Sequence, residues 1–304
     1  MKNLIPVLIT PFDEVGEIYV QGLEILYSYL KTLGVEKVFA GGSYAAFALL
    51  TREQRIQLGV ESDRVAKKNG IQTIFNVGSS SPEETKILIQ ALEQQANIEA
   101  FAVVAPYYYS NNGTYDFSRI EAYLNWVCEQ STTPVYFYNN PKTTGLDLTA
   151  AQLNALAETT DIAGIKDSNE SMNKLMEISE LSIGDPKADV RYIPGTTASM
   201  LVAGNLNIRE CMSGIFMSFP ELIGGLFEAA QSGDSAKAMA LYKTSMKVRD
   251  LMGKYAPRAV SAYYVLKRRG IDLGLPKFPW PRLTSEQEED LLRSLVDLGV
   301  LKAG

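Results

Sequence analysis

Residues 162 to 168 read IAGIKDS: four small or apolar residues, then a lysine, an aspartate and a serine. The run has the length and composition of a buried β-strand, and Lys166 ends it. Lysine is among the residues least often fully buried, because removing its ammonium from water is costly unless something compensates. The stretch therefore asks which sheet the strand belongs to and why it carries a lysine.

Seven further apolar, β-rich runs surround it: LIPVLITP (4–11), VEKVFAGG (35–42), IQTIFNVG (71–78), AFAVVAP (100–106), PVYFYNN (134–140), VRYIPG (190–195) and CMSGIF (211–216), the last being the weakest. Between them, segments such as 52–68 and 82–95 carry apolar residues at spacings of three and four, the period of a helix packed on one face. Thr51 with Gln54, Ser81 with Glu84, Thr149 with Gln152 and Thr284 with Gln287 fit the capping-box spacing, and Pro82 suits a first helical position. Strands alternating with helices predict a parallel sheet, and strands apolar throughout predict that both its faces are covered. Eight such units predict an α/β fold, a closed (β/α)8 TIM barrel over residues 1–231, with a C-terminal helical extension over 232–304 packed on it. A doubly wound open sheet is the alternative, but the first strand leads into TPFDEVGEIYV and not into a G-x-G-x-x-G turn.

The bulk composition narrows the function. Hydrophobic residues make up 46% and charged residues 21% of the 304, and no apolar run approaches the length of a membrane span. Cys128 and Cys211 lie far apart without metal-ligand spacing, and the start shows no secretory pattern, so a cytoplasmic protein is expected. The net charge of −6 is spread along the chain, which leaves no basic stripe for nucleic acid. There is no histidine, so any catalysis falls to lysine, tyrosine, carboxylates or hydroxyls.

Active sites of such barrels lie at the carboxyl ends of the strands. Tyr138, 28 residues before Lys166, ends the preceding run, so both side chains are expected to enter one cavity from adjacent strands. Burial disfavours the ammonium, and a neutral amine attacks ketones, while a phenol beside it can move protons. Two plainer readings stand beside this: an ion pair of Lys166 with Asp167 or another rim carboxylate, and ordinary packing of Tyr138.

The pieces TPF, GGS with LLTREQR, NVGSSSPEE, APYYY, YNNPKTTG, GIKDS and LGLPKFPWPRLTSEQEEDLL occur in that order. Together they make the chain resemble the dihydrodipicolinate synthase and N-acetylneuraminate lyase superfamily of pyruvate-dependent class I aldolases over essentially its full length. The resemblance implies that Lys166 forms a Schiff base with pyruvate or another 2-oxo acid and that Tyr138 transfers protons. It also implies that Tyr108 reaches a neighbouring subunit's site, in a homo-oligomer such as a dimer or tetramer. No cofactor or metal is implied.

The chain departs from the family at two places. Where the family carries Gly, two hydroxyl residues and Gly-Glu, this chain reads Gly42, Ser43, Tyr44, Ala45, Ala46. Ser43 with the backbone of this turn is expected to hold a substrate carboxylate. Tyr44, at the position taken as the relay hydroxyl, either reroutes the proton relay, narrows the pocket, or packs outside the site. The family's lysine-pathway synthases carry an arginine where this chain has Thr143, so a bidentate carboxylate contact is missing there. Thr196 and Thr197, after Gly195, suit a polyhydroxylated substrate or a helix cap, and Phe216 at the end of the eighth run joins the candidate substrate contacts. The leading expectation is a lyase that splits a 2-oxo-3-deoxy sugar acid or related 4-hydroxy-2-oxo acid into pyruvate and an aldehyde. A dehydratase, a dihydrodipicolinate synthase-type condensation, and a catalytically impaired 2-oxo acid binding protein are the alternatives.

Overall fold

The computed structural model describes residues 3–108 and 115–303. Its eight strands are β1 (Leu4–Pro6), β2 (Lys37–Ala40), β3 (Gln72–Asn76), β4 (Ala100–Val104), β5 (Val135–Asn139), β6 (Gly164–Asp167), β7 (Arg191–Pro194) and β8 (Cys211–Ser213). Consecutive strands pair in parallel from β2 through to β7, and β1 pairs in parallel with β8. The two ladders join where Val7 bridges Phe39 and the Leu8 N–H donates to the Phe39 carbonyl at 2.9 Å. Between β7 and β8 the Thr197 and Ser213 hydroxyls meet at 2.9 Å. The predicted barrel is the observed fold, and its weakest predicted strand is among its shortest.

Alternation along the strands sorts their side chains into two cores. Ile5, Val7, Phe39, Ile74, Ala100, Ala102, Val104, Tyr136, Tyr138, Ile193 and Met212 fill the lumen. Val38, Phe75, Phe101, Val103, Val135, Phe137 and Ile165 face the helices in a larger shell. Such double burial explains why the runs read as continuously apolar.

The described residues form twelve α-helices. These are α1 (Val20–Thr32), α2 (Arg52–Asn69), α3 (Pro82–Gln95), α4 (Phe117–Glu129), the single turn α5 (Pro141–Thr144), α6 (Ala150–Thr159), α7 (Met172–Ser179), α8 (Met200–Asn205) and α9 (Pro220–Gln231). They end with α10 (Ser235–Met252), α11 (Arg258–Arg268) and α12 (Ser285–Asp297). Thr51, Thr149 and Thr284 form reciprocal capping boxes, and Ser81 caps α3 ahead of Pro82. Helix α11 is tied to the loop after β1, where the Tyr263 hydroxyl donates to the Thr10 carbonyl. No helix is long and apolar enough to cross a membrane among the described residues.

Candidate active site

Tyr138, Lys166 and Ile193 are register partners across β5, β6 and β7, so alternation turns all three into the lumen. Lys166 is 1% exposed. Its Nζ lies 3.4 Å from the centroid of the Phe39 ring and 3.7 Å from that of Tyr138. Among the described residues it has no carboxylate or hydrogen-bond acceptor within reach. Burial therefore holds the amine well below its ordinary value of 10.5. The ion-pair reading of Lys166 fails for a geometric reason: Asp167 faces the opposite side of β6.

There Asp167 is buried and fully engaged. It accepts from Asn139 Nδ2 at 2.8 Å, the Tyr192 hydroxyl at 2.9 Å and the Asn169 N–H at 2.9 Å, and Lys174 Nζ stands 3.3 Å away. Burial, reinforced by the Asp167 charge, pushes the Tyr192 phenol well above its usual range. The network ties β5, β6, β7 and α7 together behind the strand that carries Lys166.

Tyr138 is 4% exposed and meets Phe39 edge to face, with ring centroids 5.3 Å apart. The side chain of Asn140 links it to the β2 turn: Nδ2 lies 3.0 Å from both the Tyr138 hydroxyl and Ser43 Oγ. Burial raises the phenol above its ordinary value, and the hydroxyls of Ser43 and Ser168 oppose that shift. Ser43, the expected carboxylate contact, is thus also a hydroxyl placed at the phenol, while Tyr44 is not.

That turn is built tightly on the lumen. At Gly42 a Cβ would stand 2.3 Å from Phe39 Cε1, so only glycine lets the backbone cross the ring under Lys166. Ser43–Ala45 then form one 3₁₀ turn, and Ala46 takes a left-handed conformation with φ 58°. Thr10 Oγ1 donates to the Ala45 carbonyl at 2.8 Å and Asn76 Nδ2 to that of Gly41 at 3.0 Å. Tyr44 leaves this turn toward β8, where its ring rests on Gly214, and its hydroxyl is buried without a hydrogen-bond partner among the described residues. Burial drives that phenol far up, against the pull of Arg258 and Arg249.

The other predicted contacts are placed unevenly. Thr143 is exposed, with its hydroxyl turned back to the Asn140 carbonyl at 3.3 Å. Gly195 closes against Ser168, whose Oγ lies 2.6 Å from where a Cβ would stand. Thr196 caps the short turn Thr197–Ser199 by accepting from the Ser199 N–H, which is the plainer of its two readings. Phe216 is fully buried in the shell between strands and helices, not in the lumen, because β8 ends at Ser213 and the chain turns outward. Tyr108 is 78% exposed on the loop after β4, beside Tyr107, which packs edge to face on Phe47. Part of the APYYY stretch, from Tyr109, lies outside the described residues.

The sequence profile of the Dihydrodipicolinate synthetase family matches residues 1–297. The chain belongs to this family. An uncharacterized DapA-like lyase of Halobacterium salinarum is 28% identical over 304 residues, covering 99% of this chain and 95% of that one. The 2-dehydro-3-deoxy-phosphogluconate/2-dehydro-3-deoxy-6-phosphogalactonate aldolase of Saccharolobus solfataricus is 26% identical over 315 residues, covering 99% of this chain and 100% of its own. YagE of E. coli K12, a dihydrodipicolinic acid synthase family protein in complex with pyruvate, superposes with a TM-score of 0.87 at 23% identity, covering 98% of each chain. A Sulfolobus solfataricus 2-keto-3-deoxygluconate aldolase variant gives 0.85 at 24% identity, covering 99% of this chain and 100% of its own. These superpositions establish the barrel. Membership in the dihydrodipicolinate synthetase family makes the chain a pyruvate-dependent lyase of the class I aldolase superfamily.

Sequence reasoning missed Asn140, Phe39 and Gly214. Their signal was position: Asn140 and Phe39 lie within two residues of a strand's carboxyl end, as Gly214 does past β8.

Proposed function

We propose that this lyase reversibly cleaves a 2-oxo-3-deoxy sugar acid, or a related 4-hydroxy-2-oxo acid, into pyruvate and an aldehyde. One observation carries the reading: the Lys166 amine is held between two ring faces with no counter-charge among the described residues, which leaves its lone pair free to attack a ketone. The amine adds to C2 of the substrate, the Tyr138 phenol gives its proton to the departing hydroxyl so that water leaves, and a protonated imine remains beside the phenolate. When the C3–C4 bond breaks, its electron pair flows into that imine to give an enamine, and Tyr138 takes the C4 hydroxyl proton. Protonation of the enamine at C3 and hydrolysis then release pyruvate and the free lysine.

The leading N–H groups of the 3₁₀ turn at Ser43 and Tyr44 have no carbonyl one turn earlier, and they are offered to the pyruvate carboxylate. Ser43 and Asn140 hold the phenol in line, and Thr143 in place of a guanidinium disfavours a dicarboxylic acceptor held in the synthase manner. Tyr108, exposed beside the site loop, suits donation to a second subunit, so a dimer is the proposed minimal unit.

The test is pyruvate with borohydride, followed by protein mass and peptide mapping. The expected result is one reduced pyruvate adduct on Lys166, absent in Lys166→Ala. No adduct in the native protein refutes the reading. A panel of aldehydes with pyruvate then separates aldol turnover from elimination, which would instead release water and keep all the substrate's carbons in one product.

A further inference from the structure

Behind the β2 turn lies a buried cation that the lyase steps do not touch. Arg55 of α2 is 6% exposed and forms no ion pair among the described residues. Glu84, whose charge reaches it, is already gripped by Arg52. Burial pulls the guanidinium down to about 10, which leaves it charged at neutral pH. An arginine buried without an acid is costly, so its position needs a reason.

Its contacts supply one. Arg55 Nη2 donates to the carbonyls of Asn76 and Gly78, both at 3.0 Å, at the carboxyl end of β3. Its Cζ stands 5.2 Å from the centroid of the Phe47 ring, which Tyr107 meets edge to face with centroids 6.0 Å apart. Phe47 closes the turn that begins at Gly41: its N–H and that of Ala45 donate to the Gly42 carbonyl at 3.4 and 2.9 Å. The start of the turn is held from the same strand end, since Asn76 Nδ2 donates to the Gly41 carbonyl at 3.0 Å. Arg55 and Asn76 thus hold the turn at both ends, and Ser43 and Tyr44 lie between.

Resting on the pyruvate-lyase reading above, we propose that Arg55 is a positioning residue for the carboxylate end of pyruvate. By tying the turn to β3 it presets the N–H groups of Ser43 and Tyr44, so that their ordering is not charged against binding. Phe47 offers the flat face that a guanidinium stacks on and an ammonium does not. Loosening this clamp weakens the hold on the carboxylate and leaves the Lys166 amine, which sits on β6 between Phe39 and Tyr138, as reactive as before.

The experiment traps the imine with cyanoborohydride from pyruvate and, separately, from acetone, a small ketone that lacks the carboxylate. At equal limiting concentration native protein is expected to trap pyruvate faster. Arg55→Met is expected to lower the pyruvate-to-acetone ratio of trapping rates about tenfold or more, the scale of a hydrogen bond to a charged group, with acetone trapping kept. Arg55→Lys keeps the charge and loses the planar face. It is expected to move the ratio the same way, and it carries the test alone if the methionine variant does not fold. If native protein traps neither ketone on Lys166, the lyase reading fails first. If native protein traps both and the ratio is unchanged in the variants that fold, this inference is wrong. An equal loss of both ketones also overturns it, because Arg55 would then only support the barrel.

Discussion

Replacing Lys166 by methionine is expected to stabilise the protein, and the pH dependence of that gain reports the charge state of the amine. Methionine keeps an unbranched chain between Phe39 and Tyr138 and removes a donor group that has no acceptor among the described residues. A buried donor left unsatisfied costs about 1–3 kcal/mol, and at neutral pH the deprotonation that burial imposes adds to it. Unfolding entropy of about 2.1 cal/mol/K per residue, over 304 residues, makes roughly 0.64 kcal/mol/K. The expected rise in Tm is then about 2–5 °C. The sign with pH follows from the lowered value. Between the folded pKa and 10.5 the unfolded chain binds the proton that the folded chain has lost, so native stability rises with pH across that window. The methionine variant lacks this slope, so its advantage is largest near neutral pH and shrinks toward 10.5. The opposite case also has a magnitude. A charged ammonium held by both rings would gain about 2 kcal/mol from them once desolvated, and methionine would then destabilise. Melting curves of both proteins from pH 7 to 10.5 decide it: a lower Tm in the variant, or a difference that does not change with pH, refutes the uncharged amine.

Tyr138→Phe is expected to lower kcat by about 10²–10⁴, the range of a lost proton-transfer group, while pyruvate trapping persists; steady-state rates beside a trapping assay check both halves. Asp167→Ala leaves Lys174 its Asp147 partner at 2.8 Å but takes the buried acceptor from the Tyr192 hydroxyl, and should cost about 1–3 kcal/mol, read from urea unfolding. Gly214→Ala places a methyl against the Tyr44 ring and is expected to cost about 1–3 kcal/mol. That loss should largely vanish in a Tyr44→Thr background, so a double-mutant cycle without coupling would show that ring and glycine do not touch.

The barrel and its lysine–tyrosine pair were legible because both rest on local rules. Ser81 with Pro82 starts α3 where the capping signal placed it, and the lumen-facing pair follows from strand ends one βα repeat apart. What could not be read was direction within turns. Gly42–Ala46 holds a 3₁₀ turn and a left-handed residue, so adjacent side chains diverge: Ser43 faces the phenol and Tyr44 faces β8. Phe216 failed for a related reason, since an apolar run does not tell where its strand stops.

The sequence Ile165-Lys166-Asp167 places an apolar residue, a base and an acid on one short strand, and alternation alone decides which of them meet. Lys166 points into a lumen that holds no counter-charge among the described residues, whereas Asp167, one residue on, points into a shell where Lys174, Asn139 and Tyr192 hold it. A slip of one residue would bury the carboxylate among aromatic rings and expose the amine to acids. The network around Asp167 therefore does more than satisfy an acid. By pinning β6 to β5, β7 and α7 it fixes the register that keeps the nearest carboxylate away from the amine. The amine stays nucleophilic because its neighbour is occupied elsewhere.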